Sequence, residues 1–318
     1  MPSIHVLHEN PAWLAPLAEA LDRRRLPWRD WFLEGGAFDF SRPPPHGVFF
    51  SRMSASSHTR GHRYAPELTG AVLAWLERHG RRVVNGTRAL DLEVSKVRQY
   101  AALEAAGLAT PRTVFVADAE GLAEAARRHF GGRPFILKPN RGGKGLGVRL
   151  FETVEALEAH LAGPDYAPPI DGVHLLQSYI RSPQALITRG EFVGGRFLYA
   201  VEVDTTGGFE LCPADACAVG DAFCPADAPQ RERFTIIDAI EPGLAARYEA
   251  FLAAAGIEVA GIEFIRDCEG RVYTYDVNTN SNYNPDAERR AGRSAMDRVA
   301  QFLGDELERR YPARDAAD

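Results

Sequence analysis

The stretch from Phe135 to Val148, Phe-Ile-Leu-Lys-Pro-Asn-Arg-Gly-Gly-Lys-Gly-Leu-Gly-Val, limits the possible folds more than any other part of the chain. It starts as an apolar strand ending on Lys138, passes through a turn (141–147) holding four glycines, and re-enters a strand at 148–151. A lysine at the end of an apolar strand must meet an anion or give up its proton. Glycines beside it let backbone N–H groups approach and wrap such an anion, for example a phosphate. The turn is not a Walker A loop, because Lys-Ser/Thr does not follow and no helix opens at Gly147. It is not a dinucleotide fingerprint either, since a strand and not a helix comes next. A glycine hairpin with an incidental lysine is the competing reading.

At 318 residues the chain exceeds one average core, so two or three packed subdomains are expected. The first third alternates β and α signals: a strand at 4–7, a helix over 12–25, a strand at 48–52, a helix over 66–79 and a strand at 82–85. Leu68, Val72, Trp75 and Leu76 share one face of the 66–79 helix. This alternation implies an open α/β layer. A helix over 95–106, with Lys96 in its first turn, ends at Gly107. Strands at 113–116, 135–138, 148–151 and 174–180 follow, with a helix over 119–129 among them. From 184 onward the strands lengthen, and 185–193 and 196–203 meet at Gly194-Gly195, a hairpin signal. A helix over 243–255 leads to strands 260–265 and 271–277, a polar helix from about 286 to 310 closes the fold, and 314–318 reads as disordered. The expected class is α/β, becoming α+β in the carboxy-terminal part.

A second constellation lies in Gly261-Ile262-Glu263-Phe264 and Tyr275-Asp276-Val277-Asn278. Strand alternation puts Asp276 and Asn278 on one face, and Glu263 on the neighbouring strand can reach it. Two carboxylates and an amide oxygen make the oxygen-only cup that magnesium prefers when substrate phosphates complete its shell. Half-exposed polar positions on an open face are the alternative. Close carboxylates repel unless a cation intervenes, which favours the metal.

A net charge of −6 gives no global reason to expect nucleic acid as a partner. No apolar run approaches the roughly 18 residues that span a bilayer. Residues 1–25 break their apolar stretches with His5, His8, Glu9 and Asn10 and lack a signal-peptide layout, so a cytoplasmic protein is the default. Cys212, Cys217 and Cys224 cluster without a Cys-x-x-Cys pair, and Cys268 stands apart, so ordinary thiols are expected in place of a zinc or redox site. The loop 54–64 holds His58, Arg60, His62 and Arg63, a candidate clamp for a substrate carboxylate, with a solvated basic loop as the alternative.

The order of these features, a lysine at a helix start, Lys-Pro before a Gly-rich hairpin, a hinge strand, then Glu…Asp-x-Asn, resembles the ATP-grasp ligases. The likeness is greatest to the RimK type, which adds glutamate to protein or peptide ends, and to glutathione synthetase-like relatives. Arg82-Val83-Val84-Asn85-Gly86, Ser95-Lys96 and Gly107-Leu108-Ala109-Thr110-Pro111-Arg112-Thr113 extend it, so that it covers about 48 to 284. The resemblance implies an ATP-grasp fold with a Rossmann-like pre-ATP-grasp domain over 1–90, a lid subdomain over 91–183 and a metal-bearing subdomain over 184–312. It implies ATP with magnesium, or manganese, as the cofactors. Lys96 and Lys138 would contact the phosphates under a loop containing Gly142, Gly143, Lys144, Gly145 and Gly147. Gln177, Ser178, Tyr179 and Ile180 would hold adenine, Glu263, Asp276 and Asn278 would ligate the metal, and Arg189 would steady an acyl phosphate.

Asn280 and Asn282, in the amide-rich run 278–284, would border the acceptor. Ser178 and Ile187 stand where the RimK type has acids, and Glu263 and Asp276 exchange the family's Asp and Glu. The implied activity joins a carboxylate substrate to an amine acceptor, an amino acid or a peptide, with release of ADP and phosphate. A small-molecule kinase and a silent nucleotide-binding regulatory module are the rivals. Neither nucleic acid nor membrane is an expected partner, while a homo-oligomer is compatible with the sequence.

Overall fold

Apolar runs separated by long connections pair in parallel, and the amino-terminal layer follows that rule. It comprises β1 (Ser3–His8), α1 (Pro11–Arg23), β2 (Trp28–Phe32), β3 (Gly47–Ser51), α2 (Ala65–Arg78) and β4 (Arg82–Val84). The strands form a wholly parallel sheet in the order β2-β1-β3-β4. The structure, a computed structural model, describes residues 1–143, 145–206 and 233–312. Lys144, Cys212, Cys217, Cys224 and the 314–318 tail therefore lie outside the described residues, while Cys268 is an exposed free thiol. β2 was not expected, because Trp-Arg-Asp-Trp-Phe sits half-exposed at the sheet edge and carries neither an apolar run nor clean alternation.

Two short helices, α3 (Thr87–Glu93) and α4 (Lys96–Ala105), lead into a second, antiparallel sheet. It is built from β5 (Thr113–Val116), α5 (Leu122–Phe130), β6 (Phe135–Pro139), β7 (Arg149–Phe151), α6 (Val154–Leu161) and β8 (His174–Ser178), ordered β5-β8-β6-β7. Leu122, Ala126, Phe130, Val154 and Leu157 back it with one apolar core. The third sheet holds β9 (Leu186–Val193), β10 (Arg196–Asp204), β11 (Phe234–Ile237), β12 (Val259–Arg266) and β13 (Val272–Asn278) in the antiparallel order β11-β10-β9-β12-β13. Helix α7 (Pro242–Ala255) covers it through Leu244, Tyr248, Phe251 and Leu252.

The polar helix expected from about 286 to 310 is two helices, α8 (Pro285–Ala291) and α9 (Ala295–Arg310). Gly292 breaks it at φ 63°, and Ser294 caps the second helix. The strand expected at 174–180 stops at Ser178, which leaves Tyr179 and Ile180 outside the ladder. Helices α3 and α6 and strand β11 were not read from the sequence. Each is nine residues or fewer, too short for a period to declare itself. Among the described residues no helix is long and apolar enough to cross a membrane.

Alternation on the first sheet sends Ile4, Val6, Val48 and Phe50 to a core shared with Leu17 of α1 and with Val299, Leu303 and Leu307 of α9. Leu7 and Phe49 face Val72, Leu73 and Leu76 of α2 on the other side. The last helix of the chain thus closes the first layer. Asn85 fastens that layer to the third sheet: its Nδ2 donates to Val259 O (2.7 Å) and Thr279 O (3.0 Å), and its Oδ1 accepts from the Glu258 and Val259 amides. It is 1% exposed and sits at φ 54°, which Asn tolerates better than most side chains. Asn85→Ala should lower the unfolding free energy by about 2–4 kcal/mol in urea denaturation. A change below about 0.5 kcal/mol would mean that the two layers hold without it.

Candidate active site

The site is assembled by α4. Ser95 caps the helix, and Asn140, just past Lys138-Pro139, joins the cap by accepting from Val97 N (2.9 Å) and Ser95 Oγ (3.2 Å). The strand bearing Lys138 is thereby tied to the helix bearing Lys96. One turn on, Gln99 treats the edge strand β13 as a ladder partner. Its Nε2 donates to Val277 O (2.7 Å) and its Oε1 accepts from Val277 N (2.8 Å). Tyr100 Oη donates to Tyr275 O (2.8 Å). These bonds satisfy a sheet edge that would otherwise present bare polar groups. They also deliver Lys96 Nζ to 2.5 Å from Asp276 Oδ1.

Glu263 and Asp276 lie directly opposite one another across β12 and β13, beside a bulge at Glu263/Phe264. Asn278 Nδ2 donates to Glu263 Oε1 (3.2 Å), so the three expected residues are together. On the far side Arg189 Nη1 reaches Glu263 Oε1 at 3.3 Å. The same guanidinium donates from Nε to Glu191 (2.7 Å) and from Nη2 to Ser281 Oγ (3.0 Å). The repulsion that argued for a metal in the sequence is therefore relieved by the protein's own cations, Lys96 and Arg189. Among the described residues no group of three or more His, Cys, Asp or Glu forms a metal cluster. The donor set present is the two carboxylates and the amide, all offering oxygen.

The cations split the two acids. Burial works to raise Asp276, but Lys96 and then Lys138 outweigh it and hold the acid below its ordinary range. Glu263 is pushed up by burial and by Asp276. Lys138, 6% exposed, donates to the Tyr100 hydroxyl, and burial together with Lys96 lowers its pKa to about 7. Glu191 is likewise raised by burial, to about 7 even beside Arg189.

Between the second and third sheets lies a cavity of about 470 Å³. Of the residues singled out in the sequence, Lys96, Lys138, Gly142, Gly143, Gly145, Gln177, Ser178, Tyr179, Ile180, Glu263 and Asp276 line it. Gly147, at φ 73° and against Pro139, shapes the turn behind the wall. Ile136, Leu150, Ile265 and Tyr275, which the sequence motifs did not single out for the site, join Ile187 to give the cavity apolar walls from both sheets. Their signal was the strand alternation itself. Ser178 and Ile187, the departures from the RimK pattern, both face this cavity.

The residues suggested for substrate lie elsewhere. Arg60 is bound by Glu9 through two bonds (2.6 and 3.0 Å) and rests over the Trp13 ring, so its charge is already matched. Arg63 is exposed over Tyr64. His58 is half-buried, its pKa lowered by burial and by Arg141, Arg60 and Arg63. Asn280 and Asn282 both turn their Oδ1 atoms to Arg52, a residue the sequence reading left as a strand end.

No family model matches the sequence. The chain is 24% identical over 233 residues to "Probable alpha-L-glutamate ligase 2" of Pseudoalteromonas atlantica, covering 73% of this chain and 70% of that one. The solved structure of the ATP-grasp ligase PsnB with a minimal precursor superposes with a TM-score of 0.66 at 18% identity, over 95% of this chain and 98% of PsnB. PsnB with a phosphomimetic precursor variant, Mg and ADP gives 0.63 at 17% identity over 95% and 98%. The D-cycloserine synthetase DcsG gives 0.64 at 20% identity over 96% and 100%. The chain has the ATP-grasp fold. The resemblance read from its motifs is borne out by these relatives.

Within this fold the geometry of Arg189 depends on a glycine. A Cβ at Gly261 would lie 2.3 Å from Arg189 Nε, so only hydrogen leaves room for the guanidinium to lie across β12. Gly261→Ala should displace Arg189 from Glu191 and Glu263 and destabilise the fold by about 2–4 kcal/mol, read as a shift in urea midpoint. An unchanged midpoint would show that the guanidinium has another place to go.

Proposed function

We propose that the protein is an ATP-dependent carboxylate–amine ligase that forms an amide through an acyl phosphate. One observation carries this reading: Lys96, Lys138, Glu263 and Asp276 converge at the wall of an apolar slot between two antiparallel sheets. A flat purine suits the slot, with Ile136, Leu150, Ile187 and Ile265 against its faces and the segment Ser178–Ile180 along its edge. Lys138 and the glycine turn would hold the phosphates. The three sheets fall within the segments 1–90, 91–183 and 184–312, which supports reading these as the amino-terminal, lid and metal-bearing parts. The donor set of Glu263, Asp276 and Asn278 fits a hard divalent cation that completes its shell with phosphate and water. Magnesium held there would neutralise charge on the transferring phosphoryl group.

The chain's own residues supply the remaining chemistry. A substrate carboxylate attacks the γ-phosphorus, the bond to ADP breaks, and Lys138 and Lys96 offset the charge that develops. Lys96 must exchange Asp276 for phosphate to do so, which frees the acid as a ligand. Arg189, fixed by Glu191 and Ser281, would meet the acyl phosphate. An amine then attacks the acyl carbon, loses its proton, and phosphate leaves. The names of the relatives, an α-L-glutamate ligase and a ligase bound to a precursor peptide, support amino acids or peptides as the substrates.

Lys138→Ala and Asp276→Asn should each reduce turnover by about 100–1000-fold while leaving the far-ultraviolet circular dichroism unchanged. The assay is ADP release with Mg-ATP and pooled carboxylates, with hydroxylamine as the amine. Hydroxamate formation identifies the acyl phosphate, whereas ADP without hydroxamate indicates a kinase.

Lys138 also gives a pH dependence. In the empty site it loses its proton near pH 7, and it must be charged to hold phosphate. Nucleotide binding above pH 7 therefore takes up a proton, and affinity should fall with rising pH by up to about tenfold per unit. Calorimetry in buffers of different ionisation heat measures the uptake, and its persistence in Lys138→Met would assign it to another group.

A further inference from the structure

The first sheet runs β2-β1-β3-β4, so the chain leaves β1 to one side for β2 and returns on the other side at β3. Open parallel sheets bind ligands in the crevice beyond the carboxyl ends of the strands at such a reversal. Here those ends are His8-Glu9 after β1 and Arg52 after β3, held side by side by Arg52 N donating to Leu7 O (2.8 Å). The 280–282 turn that follows the Glu263/Asp276/Asn278 cluster meets them from the third sheet.

Arg52 is 3% exposed. Its Nε donates to Asn280 Oδ1 (3.2 Å), Nη1 to Trp13 O (2.8 Å), and Nη2 to Ser281 O (2.9 Å) and Asn282 Oδ1 (2.9 Å). Every one of these acceptors is neutral, and one Nη1 hydrogen is left over. Among the described residues no carboxylate pairs with Arg52, whereas nearby Arg60 has Glu9 and Arg189 has Glu191 and Glu263. Burial without a counter-charge lowers its pKa to about 10. A buried cation held only by dipoles is costly, and an arriving anion would relieve it.

Three further groups beside Arg52 are suited to the same anion. Because Asn280 and Asn282 aim Oδ1 at Arg52, their Nδ2 groups point away as donors, and neither makes a hydrogen bond among the described residues. The buried Tyr283 hydroxyl, which acts electrostatically on Arg52, also lacks a partner. A planar guanidinium flanked by amide donors matches a carboxylate.

We infer that the crevice between β1, β3 and the 280–282 turn receives the non-reacting carboxylate of an amino-acid or peptide substrate, with Arg52 as its anchor. This rests on the ligase reading above and narrows it. One substrate must carry a carboxylate beyond the one that is activated, either the main-chain carboxylate of a free amino acid or the terminus of a peptide. Arg60, neutralised by Glu9 and stacked on Trp13, does not compete as anchor.

The test uses the full chain with Mg-ATP and hydroxylamine-free ADP release. Four pools are compared: aspartate and glutamate, their α-carboxamides, dipeptides ending in either residue with a free terminus, and the same dipeptides amidated; each amidated form keeps its side-chain carboxylate for activation. ADP binding is measured in parallel by calorimetry. The wild type should favour one free-carboxylate pool over its amidated partner by about 10- to 100-fold, and which pool responds separates free amino acid from peptide terminus. Arg52→Gln should erase that preference with ADP affinity unchanged. Arg52→Lys, the variant to use if Arg52→Gln does not fold, should keep part of it.

A purely structural role for Arg52 would lower stability and leave the preference intact. Equal use of both pools by the wild type, a preference that survives Arg52→Gln, or no response from any pool while ADP binds would each overturn the inference. Failure of ADP itself to bind would instead strike the ligase reading beneath it.

Discussion

Two carboxylates sit opposite one another on adjacent strands, Glu263 and Asp276, and the surrounding structure is arranged to make that tolerable. Such a pair inside a protein needs positive charge close by. Lys96 supplies it from α4 and Arg189 from β9, and each requirement reaches further into the fold. Lys96 arrives only because Gln99 and Tyr100 dock α4 on the open edge of β13. Arg189 fits only because residue 261 is glycine and Glu191 fixes its Nε. Lys138 is linked to the same arrangement through Asn140, which caps the helix that carries Lys96.

This arrangement explains why the two lysines have opposite character. Lys96 is buried, but Asp276 beside it keeps its pKa above the usual value. Lys138 is buried beside a neutral phenol and near another cation, so its charge is hard to maintain until an anion enters. One lysine is matched by an acid of the protein and the other is not. That asymmetry suits the phosphate-binding role proposed for Lys138.

The position of α9 shows how far the pieces depend on one another. Residues near the carboxy terminus complete the core under the first parallel sheet, and Asn85 ties the same sheet to the 258–259 and 279 backbone. Arg52 is thus held by a segment more than two hundred residues from it in the chain. A rigid junction there would serve the proposed ligase, in which two substrates and a nucleotide converge within one reach.

Much of the site was legible in the sequence because it is written in local patterns. Alternation in Tyr275-Asp276-Val277-Asn278, the Lys-Pro step before four glycines, and Lys96 after a Ser cap are set by backbone period and by capping chemistry, which act over a few residues. The apolar lining obeys the same alternation, but which apolar residues meet across the two sheets was not legible there. What only the tertiary structure decided were the partnerships. Nothing local indicates that Asp276 is neutralised by Lys96, that Arg60 is already matched by Glu9, or that Arg52 is buried with no acid paired to it among the described residues. The break of the last helix at Gly292 and the edge strand β2 were hidden for a related reason. Propensity can be offset by packing that only the folded chain provides. The sequence determined which groups are present and on which face of each element they lie; the fold determined which charges meet, because burial and distance, not identity, set the energy of a charge.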